Sequence, residues 1–236
     1  MPARLLLASV LMLLLTLLTS PLGCGTKPET DKGTVVVNID WVAFIKFNGI
    51  TYLREVQSLP YSEEDLQYFD EVQFKVEGNI TQLGYQIKNG DAAYLDKGTQ
   101  IYSIKGYSPD FRLVAKAGAE ELYLFEADTS PGARKGADLL DIEGKVKYIG
   151  INNPIDGKTE LASITETGLV SRLVKMVLEA PVDQTFKSGE GDQLFIAFHL
   201  NDGTTVVRSF WSDTGQLSRG ILLPMEFGKI IRSFVP

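Results

Sequence analysis

Hydrophobic and polar positions alternate with period two from residue 34 to 47. Val35, Val37, Ile39, Trp41, Ala43, Ile45 and Phe47 fall on one face, with Asn38, Asp40 and Lys46 on the other. That period, in β-branched and aromatic residues, predicts a long strand. Asn48-Gly49 follows, and a type I′ hairpin turn needs positive φ at both central positions, so residues 50–56 (ITYLREV) supply the return strand. Ser62 ahead of Glu63, Glu64 and Asp65 predicts a loop or one capped helical turn. Val72, Phe74 and Val76 alternate as the next inward set. Short strand-like runs at 92–107, 111–118, 121–127 and 145–152 are divided by Gly, Asp or Pro, with turns at Asn89-Gly90 and Lys97-Gly98. This spacing predicts an antiparallel sheet or barrel rather than βαβ units.

The period then lengthens. Val170, Leu173, Val174, Val177 and Leu178 form the i, i+3, i+4, i+7, i+8 stripe of a helix packed on one side. Ser163 with Glu166 fits a capping box, and Pro181 ends the pattern. Two alternating runs joined at Asn201-Asp202-Gly203 predict a hairpin over 193–211. A short helix closes the chain, with Pro224 near its start. The shift falls near residues 150–160. The expected fold is α+β, predominantly antiparallel β: a β-rich domain over 34–155, then a small helix–hairpin–helix domain over 156–236.

Ahead of the first strand, Arg4 precedes fourteen uncharged residues, Leu5 to Leu18. About 20 apolar residues are needed to cross a bilayer, so this run suits the h-region of a secretory signal. Leu22, Gly23 and Cys24 follow at once, and Cys24 is the only cysteine. Here the chain resembles bacterial lipoprotein precursors, with Pro21 and Leu22 at the places where that family usually has an aliphatic and a small residue. The resemblance implies that residues 1–23 are a signal peptide and that Cys24 becomes the lipidated N-terminus. It also implies attachment to the extracytoplasmic face of the cell membrane through a diacylglyceryl group, since stable anchoring takes more than one acyl chain. Residues 24–33, polar and rich in Gly and Pro, read as a flexible tether.

Further on, the 169–178 helix, the Asn201-Asp202-Gly203 turn and the strand ending at Phe210-Trp211 loosely resemble a small module of secreted lipoproteins from Gram-positive bacteria. Residues 92–107 and 136–152 resemble uncharacterised exported proteins of the same bacteria. These likenesses imply export and no particular reaction.

Charge and composition narrow the function. With 23 Lys and Arg against 30 Asp and Glu, net −7, and no basic stripe, the chain is a poor nucleic-acid binder. One cysteine excludes an intramolecular disulfide and a cysteine-rich zinc site. One histidine, His199, excludes two-histidine mechanisms; it could act as a general base or a pH sensor. Its position beside the hairpin turn, with no nucleophile elbow nearby, favours a cross-strand surface residue. Asp138, Asp141 and Glu143 are carboxylates without the alternate spacing of a calcium loop. Residues 132–136 (GARKG) are basic but lack the ending of a phosphate-cradling loop. No cofactor is expected. Arg208, Phe210 and Trp211 are the candidate binding residues, because an aromatic beside an arginine is a common interaction anchor. The expected function is a non-enzymatic binding or scaffolding module facing an envelope protein or cell-wall partner. The alternatives are a carboxylate-dependent hydrolase of wall glycan, needing two suitably spaced acids, and a solute-binding lipoprotein.

Overall fold

The computed structural model describes residues 40–235 apart from 82, 119 and 120. The apolar run, Cys24, the tether and the part of the predicted first strand before residue 40 lie outside the described residues. The described residues belong to one compact unit.

Two sheets make up its frame. The first holds β1 (Phe44–Phe47), β2 (Ile50–Glu55), β3 (Leu66–Glu71), β4 (Phe74–Lys75), β5 (Asp91–Ala92), β6 (Gln100–Ile104), β7 (Arg112–Ala117) and β8 (Glu121–Thr129). Their order is β3-β6-β7-β8-β2-β1-β5-β4. The second holds β9 (Val146–Asn152), β10 (Glu160–Ile164), β11 (Gln193–Leu200), β12 (Thr205–Trp211), β13 (Gln216–Leu217) and β14 (Ile221–Leu222), in the order β10-β9-β11-β12-β13-β14. Two helices complete it, α1 (Thr167–Glu179) and α2 (Met225–Phe234). Within the sheets only the short β4–β5 pair is parallel. The fold is α+β with β in the majority and antiparallel pairing dominant.

Local chemistry accounts for the elements. Asn48 (φ 51°) and Gly49 (φ 80°) turn β1 into β2 as a type I′ hairpin requires. Ile45 and Phe47 then share a buried cluster with Tyr52, Ile101, Leu113, Ala115 and Phe125. In α1 the five residues of the apolar stripe are buried against β9 and its neighbours. Each such burial contributes about 1.5–3 kcal/mol relative to exposure. Phe227 and Ile231 anchor α2 on the same core, with Phe227 edge-on to Phe210 at 5.4 Å.

The acidic turn after Ser62 is a single 3-10 turn (Glu63–Asp65), one of the two forms expected, with Asp65 accepting from the Ser62 amide at 2.8 Å. Other expectations are corrected. The strand that follows starts earlier than the pattern suggests: β3 occupies 66–71, and a bulge between Tyr68 and Asp70 breaks its alternation. Ser163 does not cap α1, because it lies in β10. The cap is Glu166, whose carboxylate accepts from the amides of Gly168 (2.7 Å) and Leu169 (2.6 Å). β9 pairs with β10 across residues 153–159, so the composition shift near 150–160 falls inside a hairpin of the second sheet.

The sheet margins are short or irregular. The first sheet ends in the bulged β3 and the two-residue β4. The second ends in β10, with a register shift between Glu160 and Ala162, and the two-residue β14.

Candidate binding cleft between the two sheets

The two sheets meet across buried charge. On β7 and β8, Arg112 and Glu126 occupy inward positions in line with Val114, Leu124 and Leu122. On β12, Arg208 stands between the buried Val206 and Phe210. Each oxygen of Glu126 takes one guanidinium: Oε1 from Arg112 at 2.8 Å and Oε2 from Arg208 at 2.9 Å. All three side chains are essentially without solvent contact. Burial pushes the Glu126 carboxyl up, but Arg208, Arg112 and Arg219 outweigh it and hold it below the usual carboxylate range.

Arg112 is further held from the second sheet's β11–β12 turn. Its Nη1 donates to Thr204 Oγ1 at 3.0 Å and to the Tyr61 hydroxyl at 3.3 Å. Its guanidinium also lies over the rings of Phe111 and Tyr107. The Tyr61 and Tyr107 hydroxyls both donate to Asp202 Oδ2 at 2.7 Å. Burial and that bond raise the Tyr61 phenol to about 12, while Asp202, despite burial, is held low by the two hydroxyls.

Arg219 extends the network into a cleft of about 380 Å³. It is a non-glycine residue at φ 70°, a left-handed conformation that costs an L-residue roughly 1–2 kcal/mol. Its guanidinium donates to the Ala127 carbonyl and lies 3.6 Å from Glu55 and 3.5 Å from Asp128. Burial, reinforced by Arg208, lowers it to about 10. Glu55 moves the other way: burial and then Glu126 raise its carboxyl against the pull of the arginines. Strain of this kind persists where surrounding structure over-determines it, and it clusters at ligand clamps.

The remaining walls come from both sheets and the 182–187 loop, and include Ser130, Ser209 and Ser218 together with Phe186, Phe195 and Trp211. Phe186 and Trp211 pack at 5.7 Å. A Cβ on Gly189 would overlap the Trp211 indole, so glycine lets the chain pass against that ring. Arg208 Nε is shut off from solvent without an acceptor, as is Arg112 Nε. Two guanidinium N–H groups are thus left without an acceptor inside a network that is otherwise paired.

The residues singled out by sequence are placed as follows. Cys24 lies outside the described residues. Arg208 and Trp211 line the cleft; Phe210 points into the core and offers no surface. His199 is a cross-strand residue on the outer face of the second sheet, stacked on Tyr148 at 4.1 Å with Thr205 Oγ1 3.1 Å from Nδ1. Asp138 accepts from the amides of Arg134 and Lys135, tying the basic GARKG stretch into a turn. Asp141 accepts from the Ser108 amide and pairs with Lys145. Among the described residues no set of three His, Cys, Asp or Glu side chains is arranged to hold a metal ion. Nor is any helix among them long and apolar enough to cross a membrane. Glu55, Asp128 and Arg219 were not foreseen, since three distant segments supply them. A signal did exist for Arg112 and Glu126: a charge at an inward position of an apolar alternation.

No family model, curated protein or solved structure matches the chain.

Proposed function

We propose that the protein is a lipid-anchored, extracytoplasmic binding module of the cell envelope. Cys24 is its anchor, and the cleft around Arg219 and Trp211 is its recognition surface. The lining of that cleft carries the reading: a strained, buried arginine between two carboxylates, three serine hydroxyls and an aromatic wall. Such a lining suits a polar ligand with one apolar face, as a wall fragment or an extended peptide presents. In finer architectural terms the reading takes residues 156–236, helix, hairpin and helix, as a small α+β module built on β9.

Titration of the mature protein with solubilised wall fragments tests it, following Trp211 fluorescence in a Trp41→Phe background. A saturable change that Ser209→Phe abolishes by filling the cleft is the expected result. No response to any fragment, or one indifferent to Ser209→Phe, refutes it. The anchor is tested by membrane fractionation and intact mass of wild type against Cys24→Ala, with added lipid mass expected for the wild type only.

One observation favours a second reading, a carboxylate-dependent hydrolase of wall glycan. Glu55, raised by burial, and Asp128 line the same cleft, each beside Arg219, and glycoside hydrolysis uses a pair of acids. Product release from wall glycan that Glu55→Gln abolishes, with binding retained, selects this reading.

A further inference from the structure

On the outer face of the second sheet, three hydrogen-bond acceptors converge above a residue with no side chain. Ile149 and Ile151 of β9 are buried in the core, so Tyr148, Gly150 and Asn152 face the other way. Beside them in register stand His199 of β11, opposite Tyr148, and Glu160 of β10, opposite Asn152. A Cβ on Gly150 would stand 2.6 Å from Glu160 Oε2, 3.2 Å from His199 Nε2 and 3.3 Å from Asn152 Oδ1. Glycine therefore keeps open a small space that all three atoms enclose.

Two of these atoms are orphans. His199 Nε2 and Asn152 Oδ1 are shut off from solvent and make no hydrogen bond, and Asn152 is only 6% exposed. A buried acceptor left unpaired costs about 1–3 kcal/mol, so such groups in native proteins demand an explanation. Their orientations are fixed from behind. Asn152 Nδ2 donates to the Gly157 carbonyl at 3.0 Å, which turns Oδ1 toward the space. The His199 ring is clamped by its stack on Tyr148 and by Thr205 Oγ1 at Nδ1. With Nδ1–H donating to Thr205 Oγ1, the Nε2 lone pair also faces inward. The third group is a carboxylate, so the space is lined by acceptors and wants a cation or a donor.

The separation of His199 Nε2 from Glu160 Oε2 distinguishes the occupants. At 3.6 Å it exceeds the roughly 2.7–3.2 Å of a direct N–H···O bond. A water bridging both atoms at about 2.8 Å with a tetrahedral angle would hold them about 4.5 Å apart. Two ligands about 2.1 Å from one zinc ion, at about 110–120°, lie about 3.4–3.6 Å apart. The observed spacing matches the metal.

We infer that His199 Nε2, Glu160 Oε2 and Asn152 Oδ1 form a three-donor site for a divalent metal of the zinc class, with solvent completing the coordination. The imidazole nitrogen and the carboxylate are ordinary zinc donors, and the Asn152 carbonyl adds a harder oxygen. Thr205 supplies the partner that a liganded histidine ordinarily has on its other nitrogen. Glu160, with 37% of its side chain exposed, forms the outer wall through which the ion is exchanged. The site is separate from the cleft and stands whether or not the cleft reading holds.

The test uses the full chain without a histidine tag, stripped by chelator and titrated calorimetrically with Zn²⁺, then with Co²⁺ while its visible spectrum is followed. One equivalent of Zn²⁺ and an intense four-coordinate Co²⁺ band are expected. His199→Gln and Gly150→Ala abolish both, Glu160→Gln weakens binding by at least about tenfold, and Thr205→Val weakens it about tenfold. Glu160→Gln changes a partly exposed side chain, so it decides the matter if one of the more buried variants fails to fold. No binding by the wild type shows that the space holds only water, which overturns the inference. Equal binding by wild type and Glu160→Gln places the metal elsewhere and overturns it too.

Discussion

Removing the charge of Glu126 while keeping its shape should destabilise the fold more than almost any other single conservative change. In Glu126→Gln the amide still fits, but Arg208 loses its paired carboxylate and Arg112 keeps only the more distant Asp202 at 3.9 Å, both guanidiniums remaining where no water reaches them. Of the two bonds, at 2.8 and 2.9 Å, the amide oxygen can still accept one in weakened form and the other is lost; a charge-assisted bond contributes about 1.5–3 kcal/mol. With the buried charge left uncompensated, this agrees with the roughly 3–5 kcal/mol measured when one partner of a buried ion pair is removed. A domain has only about 5–15 kcal/mol in total. At roughly 2–4 °C per kcal/mol for a unit of this size, the midpoint should fall by about 6–20 °C. Urea unfolding with linear extrapolation measures it. The companion variant Arg112→Met, Glu126→Leu, Arg208→Met removes all three charges together, and should be neutral or more stable by about 1–4 kcal/mol. A loss below about 1 kcal/mol in Glu126→Gln refutes the reasoning, because it means that the arginines find other acceptors or solvent.

Three further outcomes are expected. Leu173→Ala, at a position of α1 with no exposure, should cost about 2–5 kcal/mol through lost burial and the cavity left behind; a change under 1 kcal/mol in chemical denaturation contradicts the packing described. Glu166→Ala removes the cap of α1 and should cost about 0.5–2 kcal/mol, with no loss of helical circular dichroism beyond the first turn. Stability should also pass through a maximum in mildly acidic solution. Glu126 and Asp202, both held low, stabilise the fold above their unfolded values near 4, and that contribution is lost as pH falls through their folded ones. Glu55, held high, contributes below its unfolded value and loses that as pH rises through its folded one. Denaturation midpoints that rise steadily from pH 4 to 8 contradict this balance.

What the sequence could convey depended on how local the determining physics was. The β1–β2 hairpin was legible because Asn48-Gly49 encodes its own turn, and α1 because its stripe lies within one helix of 13 consecutive residues. β3 was hidden by its bulge, which puts Tyr68 and Asp70 out of phase with the partner strand. β13 and β14, two residues each, are too short to carry a period. The Ser163 cap was misread because a strand and a helix compete for the same stretch, and pairing of β10 with β9 prevails. In the cleft, Arg208 and Trp211 could be picked out from one strand. Glu55, Asp128 and Arg219 meet only after both sheets have formed, and no spacing in the chain records that meeting.

The irregular sheet margins have a consequence for life at high local density. An open strand edge is a template on which a second copy can continue the ladder, the first step of domain swapping or fibre growth. Here a bulge twists β3 and another offsets β10, while β4 and β14 offer only two residues each. Neighbouring copies of the chain are thereby denied a straight edge to extend, and they can be packed side by side without polymerising through their backbones.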